Sequence, residues 1–151
     1  MIAYRLSRRA YIALDGEGAR LYGGRWNPKG VPMVYAASTL SLAALECLVH
    51  FSPSALPTSY VSVAIEIPDD VPIEEWTVAK LPKNWAETPA PASLQALGAG
   101  WVREARTAVL LVPSAVIPGE KNVLINPRHP DGPRIHGGKP LAFAFDSRLR
   151  K

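Results

Sequence analysis

Proline restricts the fold open to this chain more than any other residue does. Fifteen prolines are spread over 151 residues. Each locks its own φ, removes a backbone donor and pushes the preceding residue toward extended geometry, so short elements and stiff loops are expected. Within that limit there is material for a core. Apolar residues make up 48% of the chain and charged residues 20%, an ordinary globular balance that argues against disorder. At this length one domain, residues 1–151, is expected.

Between the prolines, six segments read as strands: IAYRL at 2–6, VPMVYAA at 31–37, YVSVAIEI at 60–67, TAVLLVPSAVI at 107–117, NVLINP at 122–127 and LAFAFD at 141–146. Two segments read as helices. LSLAALECLVHF at 40–51 has Ser38 or Thr39 as its cap and Pro53 as its stop, and SLQALGAGWVREAR at 93–106 has a weak, glycine-containing middle. Residues 11–30, rich in glycine and turn formers, read as a loop, and 79–92 as a proline-punctuated connection. Strands and helices alternate without a regular βαβ rhythm, which predicts an α+β fold.

The formal net charge is +4, part of it in the terminal SRLRK. That permits attraction to nucleic acid or an anionic ligand and establishes neither. Cys47 is the only cysteine, so no disulfide forms within the chain, a reducing compartment fits, and its apolar helix makes it a packing residue. No apolar run approaches a membrane span. The arginine pair in SRRAYIAL resembles a twin-arginine signal, but Asp15 and Glu17 interrupt the apolar stretch, and a cytoplasmic protein is expected.

Familiar nucleotide and nucleophile motifs are missing: no G-x-G-x-x-G after a strand, no G-x-x-x-x-G-K-[ST], no G-x-S-x-G. His50, His129, His136 and Cys47 have no zinc spacing, so no metal is expected. The basic stretch NPRHPDGPRIHGGK lacks interleaved aromatics, which leaves a nucleic-acid platform unsupported.

One acid then stands out. Glu46 lies within an apolar helix, with Leu42, Ala43, Val49 and His50 as its helical neighbours. An unpaired buried carboxylate costs several kcal/mol, so Glu46 needs a partner or a cleft; a local pair with His50 is one answer. Arg25, in YGGRWNPKG, follows two glycines that let backbone approach a ligand, and its guanidinium could grip phosphate or pair with an acid such as Glu46. Tyr35 could stack on a heterocycle or fill the core. Ser114, where a strand runs out, could bind a ligand or cap a turn. Arg5 is a second candidate anion binder, and Asn126 before Pro127 could simply make a turn.

Together these residues resemble the RES-domain family, toxins of bacterial toxin–antitoxin pairs named for an Arg, a Glu and a Ser. The likeness covers nearly the whole chain, from AYRLS through YGGRWNPKGVPMVYAASTLSLAALECLVH to LGAGWVREARTAVLLVPSAVIPGEKNVLINPRHPD. Its specific parts are GGRWN…G…VYAA…LA…E…H and VPSA…N.LINP.HP; LGAGW matches loosely and receives no role.

The resemblance implies an ADP-ribosyltransferase-like α+β fold, with a cleft between two halves of the sheet. It implies a type II toxin that binds NAD+ as substrate, splits its nicotinamide–ribose bond without a metal, and passes ADP-ribose to a protein, to water or to phosphate. By matching positions the family's Arg falls on Arg25, its active-site Tyr on Tyr35, its Glu on Glu46 and its Ser on Ser114, with Ser52 and Ser54 as alternatives. Arg5, in the opening YR pair, would be a further phosphate or ribose contact. The implied partner is an antitoxin with a DNA-binding helix-turn-helix domain, in a hetero-oligomer; neither direct nucleic-acid binding nor a membrane is expected. Rival readings are a ribonuclease toxin using the basic tail and His129, and a binding module in which Glu46 and His50 only pair.

Overall fold

Eight strands join in one mixed sheet in the computed structural model, which describes residues 1–51 and 58–149. In chain order the elements are β1 (Ile2–Arg8), α1 (Glu17–Tyr22), β2 (Val34–Ala37), α2 (Leu40–Leu48), β3 (Tyr60–Glu66), β4 (Ile73–Glu75), α3 (Ala92–Glu104), β5 (Val109–Pro113), β6 (Lys121–Ile125), β7 (His136–Gly137) and β8 (Leu141–Phe143). The sheet runs β4-β5-β6-β2-β1-β3-β7, and β8 also pairs with β3. Only β4 and β5 are parallel; the other pairs are antiparallel. The α+β expectation holds.

The sheet has a weak seam. β1 follows β3 along seven register pairs, and β2 follows β6 along four, whereas β1 and β2 meet only at Tyr4 and Ala37. The β1–β3 and β2–β6 ladders are therefore joined through one register pair.

Alternation along the strands sorts the side chains onto two faces. Ala3, Val34, Ala36, Val61, Val63, Ile65, Val109, Val123 and Ile125 pack together on one face, with Ile12 and Leu14 against them. The other face carries Leu110, Val112 and Leu124, covered by Trp26, Met33, Leu94 and Trp101. Next to this second cluster Ala37 is covered by Leu42 and Ala43 of α2, flanked by Tyr4, Leu6 and Ile117. Both longer helices thus lie on the same face.

Local chemistry accounts for the element ends. Thr39, rather than Ser38, caps α2, its hydroxyl accepting from Leu42 N at 3.1 Å. The helix stops at Leu48, short of the expected 51, and its last turn tightens through bonds from His50 N to Cys47 O and Phe51 N to Leu48 O. Pro53, Ser52 and Ser54 lie outside the described residues.

Other expected spans differ from the structure. Residues 11–30 are not all loop, because α1 forms within them. The 107–117 segment is extended only from Val109 to Pro113 and then turns. β4 and β7, of three and two residues, go unread because such short strands carry no periodicity and exist only by pairing with β5 and β3.

Candidate active site

The glycine-flanked turn is built first. Gly23 sits at φ +73°, a conformation that side chains other than glycine rarely adopt, and a Cβ on Gly24 would come within 2.6 Å of the Tyr35 hydroxyl. Tyr35, on the helix-bearing face of β2, uses that hydroxyl to hold the turn. It donates to Asn27 Oδ1 at 2.7 Å and accepts from Trp26 N at 2.9 Å. Burial pushes the phenol well above its usual range, so it stays protonated and keeps both bonds. Asn27, fully buried, donates in turn to the carbonyls of Ala19, Pro28 and Val31.

Helix α3 closes over this turn. A Cβ at Gly98 would overlap the Trp26 carbonyl, so only glycine lets the helix approach so closely, and Gln95 Nε2 donates to Gly24 O at 2.9 Å. The role of LGAGW is therefore one of packing against the arginine turn.

Arg25 projects from the turn onto the 79–92 connection. Its Nη1 donates to the carbonyls of Trp85 and Glu87, each at 2.9 Å, and Nη2 to Thr88 Oγ1 at 3.3 Å. These acceptors are neutral, and among the described residues no acid forms an ion pair with the guanidinium. Its field reaches Tyr35, where it opposes the effect of burial. The pairing of Arg25 with Glu46, left open by the sequence, does not form.

Glu46 answers differently from the local expectation. Its Oε1 accepts from Ser114 Oγ at 2.7 Å and from Asn122 Nδ2 at 2.6 Å, while His50 is exposed. Both donors lie far along the chain, on β6 and just after β5. Asn122 lies on β6 opposite Ala37 of β2 and Val112 of β5, on the helix-bearing face. Ser114 follows β5, buried, its hydroxyl accepting from Val116 N and Ile117 N at 3.0 Å each. Ser114 therefore both caps its turn and holds the acid.

The two groups share one surface. Tyr35 and Ala37 are two residues apart on β2, about 7 Å along the strand, and face the same way. The arginine turn sits over Tyr35, and Glu46 over the Ala37–Asn122 pair.

Other candidates are placed elsewhere. Arg5 alternates onto the face of Ala3, opposite to Tyr4, and donates to Ala13 O at 3.1 Å and Tyr11 O at 3.3 Å. Burial lowers its pKa, partly offset by Asp15. Asn126 makes more than a turn: buried, it accepts from Arg128 N and donates to Val102 O, tying β6 to the end of α3. His129, which an RNA-cleaving reading would use, accepts from Asp131 N at 3.0 Å within a tight turn. Among the described residues no cluster of His, Cys, Asp and Glu could hold a metal, and no helix is long and apolar enough to cross a membrane.

Sequence reasoning missed Asn122, Asn27, Gln95 and Gly98. Asn122 stands inside the quoted N.LINP block, but an asparagine on a strand carries no sign of what it bonds until the strand is placed.

What fold and site define is an α+β protein with a carboxylate and a guanidinium over one face of a divided sheet. The chain belongs to the RES domain family, whose model matches residues 2–146. It is 44% identical over 145 residues to the Prs ADP-ribosylating toxin of Sphingobium sp. (strain YBL2), covering 93% of this chain and 90% of that protein. It is 41% identical over 157 residues to Toxin Res of Yersinia enterocolitica, covering 99% and 100%. A crystal structure of the M. tuberculosis MbcT–MbcA toxin–antitoxin complex superposes with a TM-score of 0.75 at 20% identity, over 94% of this chain and 83% of that one, a likeness of fold.

Proposed function

We propose that this chain is a RES toxin that binds NAD+, breaks the bond between nicotinamide and ribose, and hands ADP-ribose to an acceptor. The observation that carries the reading is the Glu46 carboxylate, held through one oxygen by Ser114 and Asn122 on the face that also bears Tyr35 and Arg25. The relative named an ADP-ribosylating toxin supports the same chemistry.

The residues suit the reaction. Nicotinamide leaves NAD+ as a neutral ring, so departure needs little acid help. Positive charge instead spreads over the ribose as the bond lengthens, as in glycoside cleavage. A fixed anion beside that carbon stabilises the charge, and its field is poorly screened where water is scarce. Glu46 is assigned this role, together with acceptance of a ribose hydroxyl.

Arg25 is assigned the diphosphate. Its anchoring acceptors are neutral, so phosphate oxygens would meet an unneutralised guanidinium. Tyr35 fixes the arginine turn and lends its ring to the nicotinamide side. After the ring leaves, the acceptor is whichever of protein side chain, water or phosphate reaches the ribose carbon. An antitoxin is the proposed partner, by analogy with the toxin–antitoxin complex that shares the fold. An acidic segment on it would complement Arg25.

The test is incubation with labelled NAD+ in a cell extract, following nicotinamide release and the destination of the label. Parent protein should release nicotinamide. Glu46→Gln should lose turnover by about two orders of magnitude, the scale of losing about 3 kcal/mol of transition-state stabilisation. A folded Glu46→Gln protein working at the parent rate would remove the assignment.

A further inference from the structure

We propose that Asn122 is a positioning residue for the acid: with Ser114 it pins Oε1 of Glu46, so that Oε2 is the oxygen presented to the ribose. The role rests on the NAD-cleaving reading above.

The hydrogen-bond inventory carries it. A carboxylate only accepts, so Asn122 must turn its NH2 toward Glu46, and it does so at 2.6 Å. The Ser114 hydroxyl has one hydrogen and two acceptor sites. Both acceptor sites are taken by the amides of Val116 and Ile117 at 3.0 Å, which leaves its hydrogen to Oε1 at 2.7 Å. Oε1 therefore receives two donors. Among the described residues no hydrogen bond reaches Oε2.

The donors are also unusually well fixed. Asn122 is held in register on both sides, by Ala37 of β2 and Val112 of β5, in the middle of the sheet. The Ser114 backbone is anchored by its own amide bond to Glu120 O at 2.9 Å. Glu46 has three side-chain torsions and lies near the end of a nine-residue helix, and hydrogen bonds from β6 and the turn after β5 set the direction of its carboxylate. Donors already in place cost no reorganisation when charge develops in the transition state. Asn122 also pairs with Ala37 across the ladder.

The experiment compares the parent with Asn122→Ala and Asn122→Leu, measuring kcat and KM for NAD+ by nicotinamide release, together with crystal structures of the variants. Asn122→Ala should lose kcat about 10- to 100-fold, the scale of one hydrogen bond to a charged group, with KM within about twofold of the parent because the arginine turn is untouched. Its structure should show the Glu46 carboxylate turned away from the parent direction. Asn122→Leu keeps the approximate volume and removes the donor without bringing a second charge beside Glu46, so a packing role would be rescued by it and a positioning role would not. An active parent with Asn122→Ala at the parent kcat, or Asn122→Leu restoring it, overturns the positioning role alone. A parent that releases no nicotinamide overturns the NAD-cleaving reading and this role with it.

Discussion

At the scale of the residue, the same helix places two unusual side chains side by side with opposite fates. Glu46 reaches the sheet and is bound there, whereas Cys47, next to it, is half-buried. Burial pushes the Cys47 thiol up to about 11, against a partial counter-effect from Tyr60. Thiolate is the reactive form, so Cys47 should react with an alkylating reagent near pH 8 more slowly than a free thiol. Mass-spectrometric labelling against glutathione checks this, and equal rates would end the packing assignment.

Residue types already singled out Arg25, Tyr35, Glu46 and Ser114, since each is costly or idle without a partner. Their partners were not legible. The sequence offered Glu46 a neighbour four residues on, and the fold gave it Ser114 and Asn122, 68 and 76 residues away.

At the scale of the element, α3 determines where Arg25 stands. The helix approaches the Trp26 backbone through Gly98 and fixes Gly24 through Gln95. Gly98→Ala should overpack this contact, lowering stability by about 1–3 kcal/mol even though alanine favours helix. Chemical denaturation measures it; a stabilised variant would mean the contact yields freely.

The edge strand β4 depends on a different bond. Glu74, beside Arg106, has its pKa held below the usual value of 4.5, mainly by that hydrogen bond, with Trp76 Nε1 as a second donor. A folded value below the unfolded one means the bond's stabilisation is present above pH 4.5 and is lost as pH falls through the lower folded value. The pair is exposed, so the effect should be small. Denaturation midpoints at about pH 6 and pH 3 should differ less in Arg106→Ala than in the parent. An unchanged difference would show that the pair contributes nothing.

At the scale of the whole molecule, the seam at Tyr4–Ala37 separates two halves joined by one register pair, with the Glu46 and Arg25 groups on the β2 side of it. A nucleotide bound across that face should stabilise the fold by mass action, about 2.7 kcal/mol at a hundredfold excess over Kd, or roughly 5–10 °C in melting temperature. On the proposed roles, Glu46 in the reaction and Arg25 in binding, Glu46→Gln should keep most of this shift and Arg25→Ala should lose it. Thermal melts with and without NAD+ decide; an undiminished shift in Arg25→Ala would remove Arg25 from the site.

What the sequence determined by itself was local and compositional. Prolines set short elements, apolar alternation marked the longer strands, Thr39 was offered as a cap, and a charged residue in an apolar helix announced that something distant had to satisfy it. Tertiary structure alone decided what that was, which face the acid shares with Arg25, and that strands as short as β4 and β7 exist at all. The reason is physical: periodicity and capping act between residues a few positions apart. Hydrogen bonds across a sheet act between residues brought together only after the chain has closed.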